Sequence, residues 1–215
     1  MMHWLDFLFP PRVDEIALRD ISNDDFLTLV VPQLVSETRP DTVMLLPFSD
    51  ARVRTVIHEA KYHGSKRAFQ LLALALAEYL RDADDADSRR SYIVPIPLGA
   101  MRRKERGFNQ VEETVRNAIR SLGEEEIHSF VLTPDLLIRT RETKSQVSLP
   151  RHKREENMRG AFIVSPKLEE RRRINPAYTY IVIDDVLTTG ATLQAAVDAL
   201  KSAGATHIIP LALAH

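Results

Sequence analysis

Residues 180–204, YIVIDDVLTTGATLQAAVDALKSAG, constrain the fold of this chain more than any other stretch. Ile181, Val182 and Ile183 form part of an almost unbroken apolar run, which reads as a strand buried on both faces. The run stops at two adjacent carboxylates, Asp184 and Asp185, and a Thr-Thr-Gly turn follows. Leu193, Ala196, Val197 and Leu200 then recur at the spacing of one helix face, and Gly204 supplies a C-terminal stop. Strand, tight turn and helix in immediate succession are the unit of an α/β layer.

In such layers ligands bind at the carboxyl ends of strands, where loops lead into helices. A helix N-terminus offers unpaired N–H groups and the positive end of the helix dipole, which together suit an anion. Thr188, Thr189 and Thr192 add hydroxyl donors, and Gly190 admits a close approach of the backbone. The expectation is a phosphate cradle over residues 188–192. Carboxylates repel phosphate, so Asp184 and Asp185 must face another part of the ligand. The vicinal hydroxyls of a ribose are two donors that two adjacent acceptors can hold. Two plainer readings stay open at this point: a strand end followed by a capped helix, or a divalent-metal site built by the carboxylates.

The rest of the chain repeats the strand–helix alternation. TVMLLPF and SYIVPIPLG read as strands, as do LTPDLLIRT, AFIV and the closing THIIPLALA. Val53, Val56, Ile57 and Ala60 mark a helix capped by Ser49 or Asp50. Phe69, Leu72, Ala73, Leu76 and Leu80 mark a second helix, ending in the charged connector RDADDADSRR. VEETVRNAIRSLG is a third, and RETKSQVSLPRHKREENMRG reads as a long polar insertion. The fold class is therefore α/β, a mainly parallel sheet flanked by helices. The first 40 residues are the least patterned, a short helix or hairpin packed onto the domain.

Composition narrows the function. With 29 basic and 30 acidic residues the chain is nearly neutral, which argues against a protein that coats a polyanion. Without cysteine it has no disulfide, thiolate metal site or cysteine nucleophile. The seven histidines show no ligand spacing, and His58, His63, His128, His152 and His207 read as core or surface residues. The apolar stretch AFQLLALALAEYL is far shorter than the roughly 20 residues of a membrane helix, and MMHWLDFLFPPR lacks the basic start of a signal peptide. A cytoplasmic protein without a membrane partner is expected. MRRKERG, between a strand and a helix, reads as an anion-binding loop. RHKRE divides between lid and solubility roles, and EERRR reads as a solvated connector. Trp4, Tyr62 and Phe108 lie near basic residues but do not alternate with them as a nucleic-acid stacking platform would.

IVIDDVLTTGAT resembles the phosphoribosyl pyrophosphate (PRPP) motif of type I phosphoribosyltransferases. VIHEAKYHGSKRAFQLLALALAEYL, IVPIPLGAMRRKERGFNQVEETV and TKSQVSLPRHKREENMRGAFIV are similar, in order, to successive blocks of the competence protein F (ComF) family within that group. The resemblance implies a type I phosphoribosyltransferase fold over residues 43–215 with a flexible lid insertion, preceded by an elaboration over residues 1–42. It further implies a Mg²⁺–PRPP ligand, the Mg²⁺ held by the ligand rather than by a protein cage. Asp184 and Asp185 would take the ribose 2′- and 3′-hydroxyls, and Thr188, Thr189, Gly190, Ala191 and Thr192 the 5′-phosphate. Pro97, Leu98, Gly99, Arg102 and Arg106 would face the pyrophosphate, with Arg106, Lys144 and Arg154 acting in catalysis. Gln146 and Asn157 stand among the polar residues of the lid from Arg139 to Gly160. The family's cysteine-rich zinc module is absent, since Val13 follows WLDFLFPPR and no cysteine comes after it. The reaction implied is transfer of phosphoribosyl to an acceptor with release of pyrophosphate. A sensor without turnover is one alternative. Another is an accessory factor in DNA uptake or recombination, working with a helicase or single-stranded DNA. A homodimer is compatible with each.

Overall fold

A computed structural model describes residues 12–86, 89–123, 129–141, 151–166 and 174–215. Lys144, Gln146, Trp4, His128 and the EERRR segment lie outside the described residues. Two short helices, α1 (Val13–Asp20) and α2 (Asn23–Leu27), precede strand β1 (Gln33–Val35). Strand β2 (Thr42–Leu46) leads to helices α3 (Ala51–His63) and α4 (Lys66–Ala86), and β3 (Ser91–Pro95) to α5 (Ala100–Arg106) and α6 (Gln110–Ser121). After β4 (Phe130–Leu132) come β5 (Leu137–Arg139), α7 (Arg151–Met158) and β6 (Phe162–Val164). The chain closes with β7 (Thr179–Val186), α8 (Ala191–Ser202) and β8 (His207–Ala214).

The main sheet runs β1-β2-β8-β7-β3-β4, parallel throughout except that β1 is antiparallel to β2. β5 and β6 form a separate antiparallel pair. The architecture is α/β, a mostly parallel mixed sheet flanked by helices.

Burial explains why β7 carries so apolar a sequence. Alternate side chains of a strand project to opposite faces. Ile181 and Ile183 pack into one core with α3, α4 and α6, while Tyr180 and Val182 pack into a second core with α8 and the β5–β6 pair. Each buried aliphatic chain there contributes about 1.5–3 kcal/mol. Leu18 of α1, Ile21 just after it and Phe26 of α2 belong to the first core, so the N-terminal segment is built into the same hydrophobic interior as α3 and α4.

The expected helix faces are buried: Val53, Val56, Ile57 and Ala60 on α3, and Phe69, Leu72, Ala73, Leu76 and Leu80 on α4. Asp50 caps α3, its carboxylate accepting the Arg52 N–H at 2.8 Å. Three local expectations change. The charged connector after Leu80 is largely helical, because α4 continues to Ala86 and Arg81 pairs with Glu78 on its surface. LTPDLLIRT is not one strand. After β4, the Thr133 N–H and hydroxyl both donate to the Ile93 carbonyl, and Pro134 and Asp135 turn the chain into β5. The basic segment after β3 is the helix α5 rather than a loop, started by Gly99, whose carbonyl accepts the Arg103 N–H at 2.9 Å.

The topology fixes where a ligand can sit. From β3 the chain passes through α6 on one face and returns as β4. From β7 it passes through α8 on the other face and returns as β8. β3 and β7 are neighbours, so their following loops diverge to opposite faces and open a crevice at their carboxyl ends.

Candidate functional site

A cleft of about 350 Å³ occupies that crevice. Its walls are Ile96, Pro97 and Leu98 after β3, the Asp184–Thr188 segment and the start of α8 from Gly190. Arg102 and Arg106 reach it from α5, Lys61 and Tyr62 from α3, and Arg139 from the end of β5. Two carboxylates therefore face four cationic side chains inside one concavity, a balance that suits a ligand with both hydroxyl and phosphate groups.

The two aspartates are not equivalent. Asp185 lies on the side of β7 that faces α3 and α6. Its Oδ2 accepts Lys61 Nζ at 2.8 Å and Gln110 Nε2 at 2.9 Å, while its Oδ1 accepts the Val186 N–H at 2.8 Å. Against the cost of burial, the Lys61 ammonium and these hydrogen bonds hold its carboxyl below the usual carboxylate range. Asp184 receives less: its Oδ1 accepts the Asp185 N–H at 2.9 Å. Burial, and then the neighbouring Asp185 charge, push its carboxyl up to about 7. Asp185 is thus an anchored anion, whereas Asp184 is the carboxylate with unspent capacity for a ligand donor.

Gln110 links this pair to the cationic side. Its amide nitrogen donates to Asp185 and its amide oxygen accepts Arg106 Nη1 at 3.0 Å, an orientation that both partners demand. The Arg106 guanidinium also stacks over the Tyr62 ring, 5.3 Å from its centroid. Arg106 is therefore held before any ligand arrives. Asn109 ties the same helix start to the loop after β3, donating from Nδ2 to the Ile96 carbonyl at 2.9 Å and accepting the Val111 N–H at 3.1 Å.

On the opposite wall, α8 begins at Gly190, a residue that can provide no side-chain cap. Gly190 has φ +77°, and a Cβ there would meet the Arg39 carbonyl oxygen at 2.5 Å. The segment before β2 thus buttresses the loop from behind, with Thr38 buried beside it. Thr188 is exposed, and Thr188, Ala191 and Thr192 line the cleft. Thr189 is buried, and its hydroxyl accepts the Ala191 N–H at 3.5 Å, which gives it a part in shaping the turn. Gly99 is buried at the start of α5. Arg154 and Asn157 belong to α7, whose Met158 packs into the α8 core.

Sequence reasoning about the site passed over Lys61, Gln110 and Asn109 as ligand-facing groups and placed Arg139 only as the start of the lid. Lys61 sits in HEAKYHG and the two amides in RGFNQ, segments quoted above only for their resemblance to family blocks. Beside the cleft lies a second, more apolar groove of about 660 Å³, lined in part by Phe48, Ile57, Tyr62 and Val186. Lys61, Tyr62, Asp185, Val186 and Thr188 border both spaces.

The sequence reads His58 and His63 as core or surface residues without ligand spacing. Instead His58, Glu59 and His63 each place one ligand-type atom within 4.8 Å of the others at the end of α3. Among the described residues no helix is long and apolar enough to cross a membrane. Compared with protein-family models and with curated protein sequences, the chain matches none.

Proposed function

We propose that the chain is a phosphoribosyltransferase-like protein of type I fold that binds Mg²⁺–PRPP, or a related ribose 5-phosphate ligand, in the β3–β7 crevice. The observation that carries this reading is the arrangement around β7. A carboxylate with spare acceptor capacity, Asp184, lies next to an uncapped helix start at Gly190 and opposite the fixed guanidinium of Arg106. A ribose would give a hydroxyl to Asp184 while its 5′-phosphate meets the Thr188–Thr192 turn. Arg102 and Arg106 would take the pyrophosphate, for which the guanidinium fork is well shaped.

Departure of pyrophosphate from the anomeric carbon builds positive charge on the ribose and negative charge on the leaving group. Catalysis then needs positioning and electrostatic stabilisation more than proton transfer. Asp184 and Asp185 lie on the ribose side of that separation and the arginines on the other. Mg²⁺ would be supplied with the ligand, held by its phosphate oxygens and water, and would neutralise the leaving group. The adjoining apolar groove gives the acceptor a route to the anomeric carbon, past Tyr62 and Val186. Transfer to such an acceptor fits this second space better than a binding-only role does.

The test is binding of PRPP to Asp184→Asn. At about pH 8, above the value of about 7 to which the Asp184 carboxyl is raised, the substitution keeps the size of the side chain and removes the charge. Ribose recognition should then weaken about tenfold or more, the loss of one charge-assisted hydrogen bond. Unchanged affinity in a folded variant would refute the assignment of Asp184.

A further inference from the structure

The end of α3 carries a cluster that the cleft chemistry does not use. Glu59 falls three residues after Val56, on the apolar face of the helix, and its side chain is only 1 % exposed. A buried carboxylate needs partners for both oxygens. Oε2 accepts Arg12 Nη2 at 2.9 Å. Oε1 is buried and has no hydrogen-bond partner among the described residues. His63 Nε2 stands 3.8 Å from Oε1, beyond hydrogen-bonding reach. His58 completes the cluster, with ligand-type atoms of all three residues within 4.8 Å of one another and the two imidazole centroids 5.6 Å apart.

We propose that His58, Glu59 and His63 form a binding site for a first-row divalent cation such as Zn²⁺. Two ligands of a tetrahedral zinc, each about 2.0–2.1 Å from the ion, stand about 3.3 Å apart. The Glu59–His63 gap of 3.8 Å closes to that distance by a shift of about half an ångström, and the other ligand atoms, within 4.8 Å, by about 1.5 Å at most. The ion would give Oε1 the partner it lacks. Two imidazoles and one carboxylate select zinc-like ions over Mg²⁺, which prefers oxygen ligands and water. This site is therefore chemically distinct from a Mg²⁺ that arrives on a phosphate ligand. The side chains of His58 and His63, 47 % and 32 % exposed, leave a path for the ion and room for a water as fourth ligand. Asp14 Oδ2 lies 3.4 Å from His58 Nδ1, on the side that would orient the ring and leave Nε2 to the ion. The cluster adjoins the cleft through Tyr62, whose ring is 4.9 Å from that of His58 and lies under Arg106.

The test uses full-length protein stripped with a chelator and titrated with Co²⁺, whose visible d–d bands report its ligand field, in the absence of any phosphoribosyl compound. One Co²⁺ per chain is expected, displaced by Zn²⁺, with thermal stability rising as Zn²⁺ is added. His58→Ala and His63→Ala replace exposed side chains and should keep the fold while weakening Co²⁺ binding by about tenfold or more. Glu59→Gln, which retains an acceptor for Arg12, should do the same. Absence of a Co²⁺ spectrum would overturn the proposal. So would a titration unchanged in both histidine variants, since the ion would then be bound elsewhere.

Discussion

Replacing Gly190 by alanine isolates what the tight turn before α8 costs to build. Two terms add. The residue sits at φ +77°, where an L side chain is disfavoured by about 1–2 kcal/mol. The new Cβ would also lie 2.5 Å from the Arg39 carbonyl oxygen and 3.3 Å from Thr38 Cβ, and the first of these is backbone that cannot rotate away. Forcing an extra carbon into packed surroundings costs about 1–3 kcal/mol, so the whole substitution should destabilise by about 2–5 kcal/mol. Gly160→Ala is the matched control: its φ is +67°, but nothing lies within 4 Å of the added carbon, so only the first term applies. Urea unfolding of the three proteins, compared at equal m-values, gives the difference directly. Gly190→Ala should lose at least about 1 kcal/mol more than Gly160→Ala. Equal losses would mean that the Arg39 segment does not press on the loop, and the buttress described above would fail.

Two further outcomes follow from the Asp184–Asp185 pair. Lys61→Met removes the cation from a carboxylate whose side chain is only 12 % exposed, and should destabilise by about 3 kcal/mol, most of it recovered when Asp185→Asn is added. A double-mutant cycle in urea measures the coupling, and additive losses would contradict the pairing. The pH dependence of stability should separate the two aspartates. Asp184 keeps its proton in the native state up to about 7 but loses it near 3.8 when unfolded, so its contribution to stability falls as pH rises between those values. Asp185 has the opposite sign: its depressed carboxyl stabilises above 3.8 and that stability is lost as pH falls through its lower native value. The stability of Asp184→Asn relative to the parent should therefore rise from about pH 4 to 7 and then level off, and a flat difference would refute the raised carboxyl.

The strands and helices with one-residue-type periodicity were legible in the sequence because burial dictates them. β7 is apolar on both faces because a core lies on each, and the inner face of α8 repeats at helical spacing because it packs on one of those cores. The location of the cleft was legible too, since the carboxylate pair ends a buried parallel strand just before a helix, where α/β layers leave a crevice. What the pattern could not convey is which distant residues complete the site. Gln110 and Asp185 are 75 positions apart, and Lys61 meets Asp185 from a helix whose periodicity describes only its own buried face. The difference between the two aspartates has the same origin, because it depends on donors brought from α3 and α6. The helix α5 was read as a loop because its seven residues bury none of their side chains, leaving no apolar stripe to mark it. Glu59 did leave a trace, a charge on the apolar face of α3, but His58 and His63 are five positions apart and meet only at the helix end.

Calorimetric titration of the protein with PRPP, with and without Mg²⁺, tests the central claim most directly. Ribose 5-phosphate and pyrophosphate serve as controls for the two halves of the ligand. The account predicts saturable, Mg²⁺-dependent binding of one PRPP per chain, tighter than either half alone, because in the proposed mode the ribose and both phosphate groups would contact different walls of the same cleft. Absence of PRPP binding by folded protein, or equal affinity for pyrophosphate alone, would contradict it.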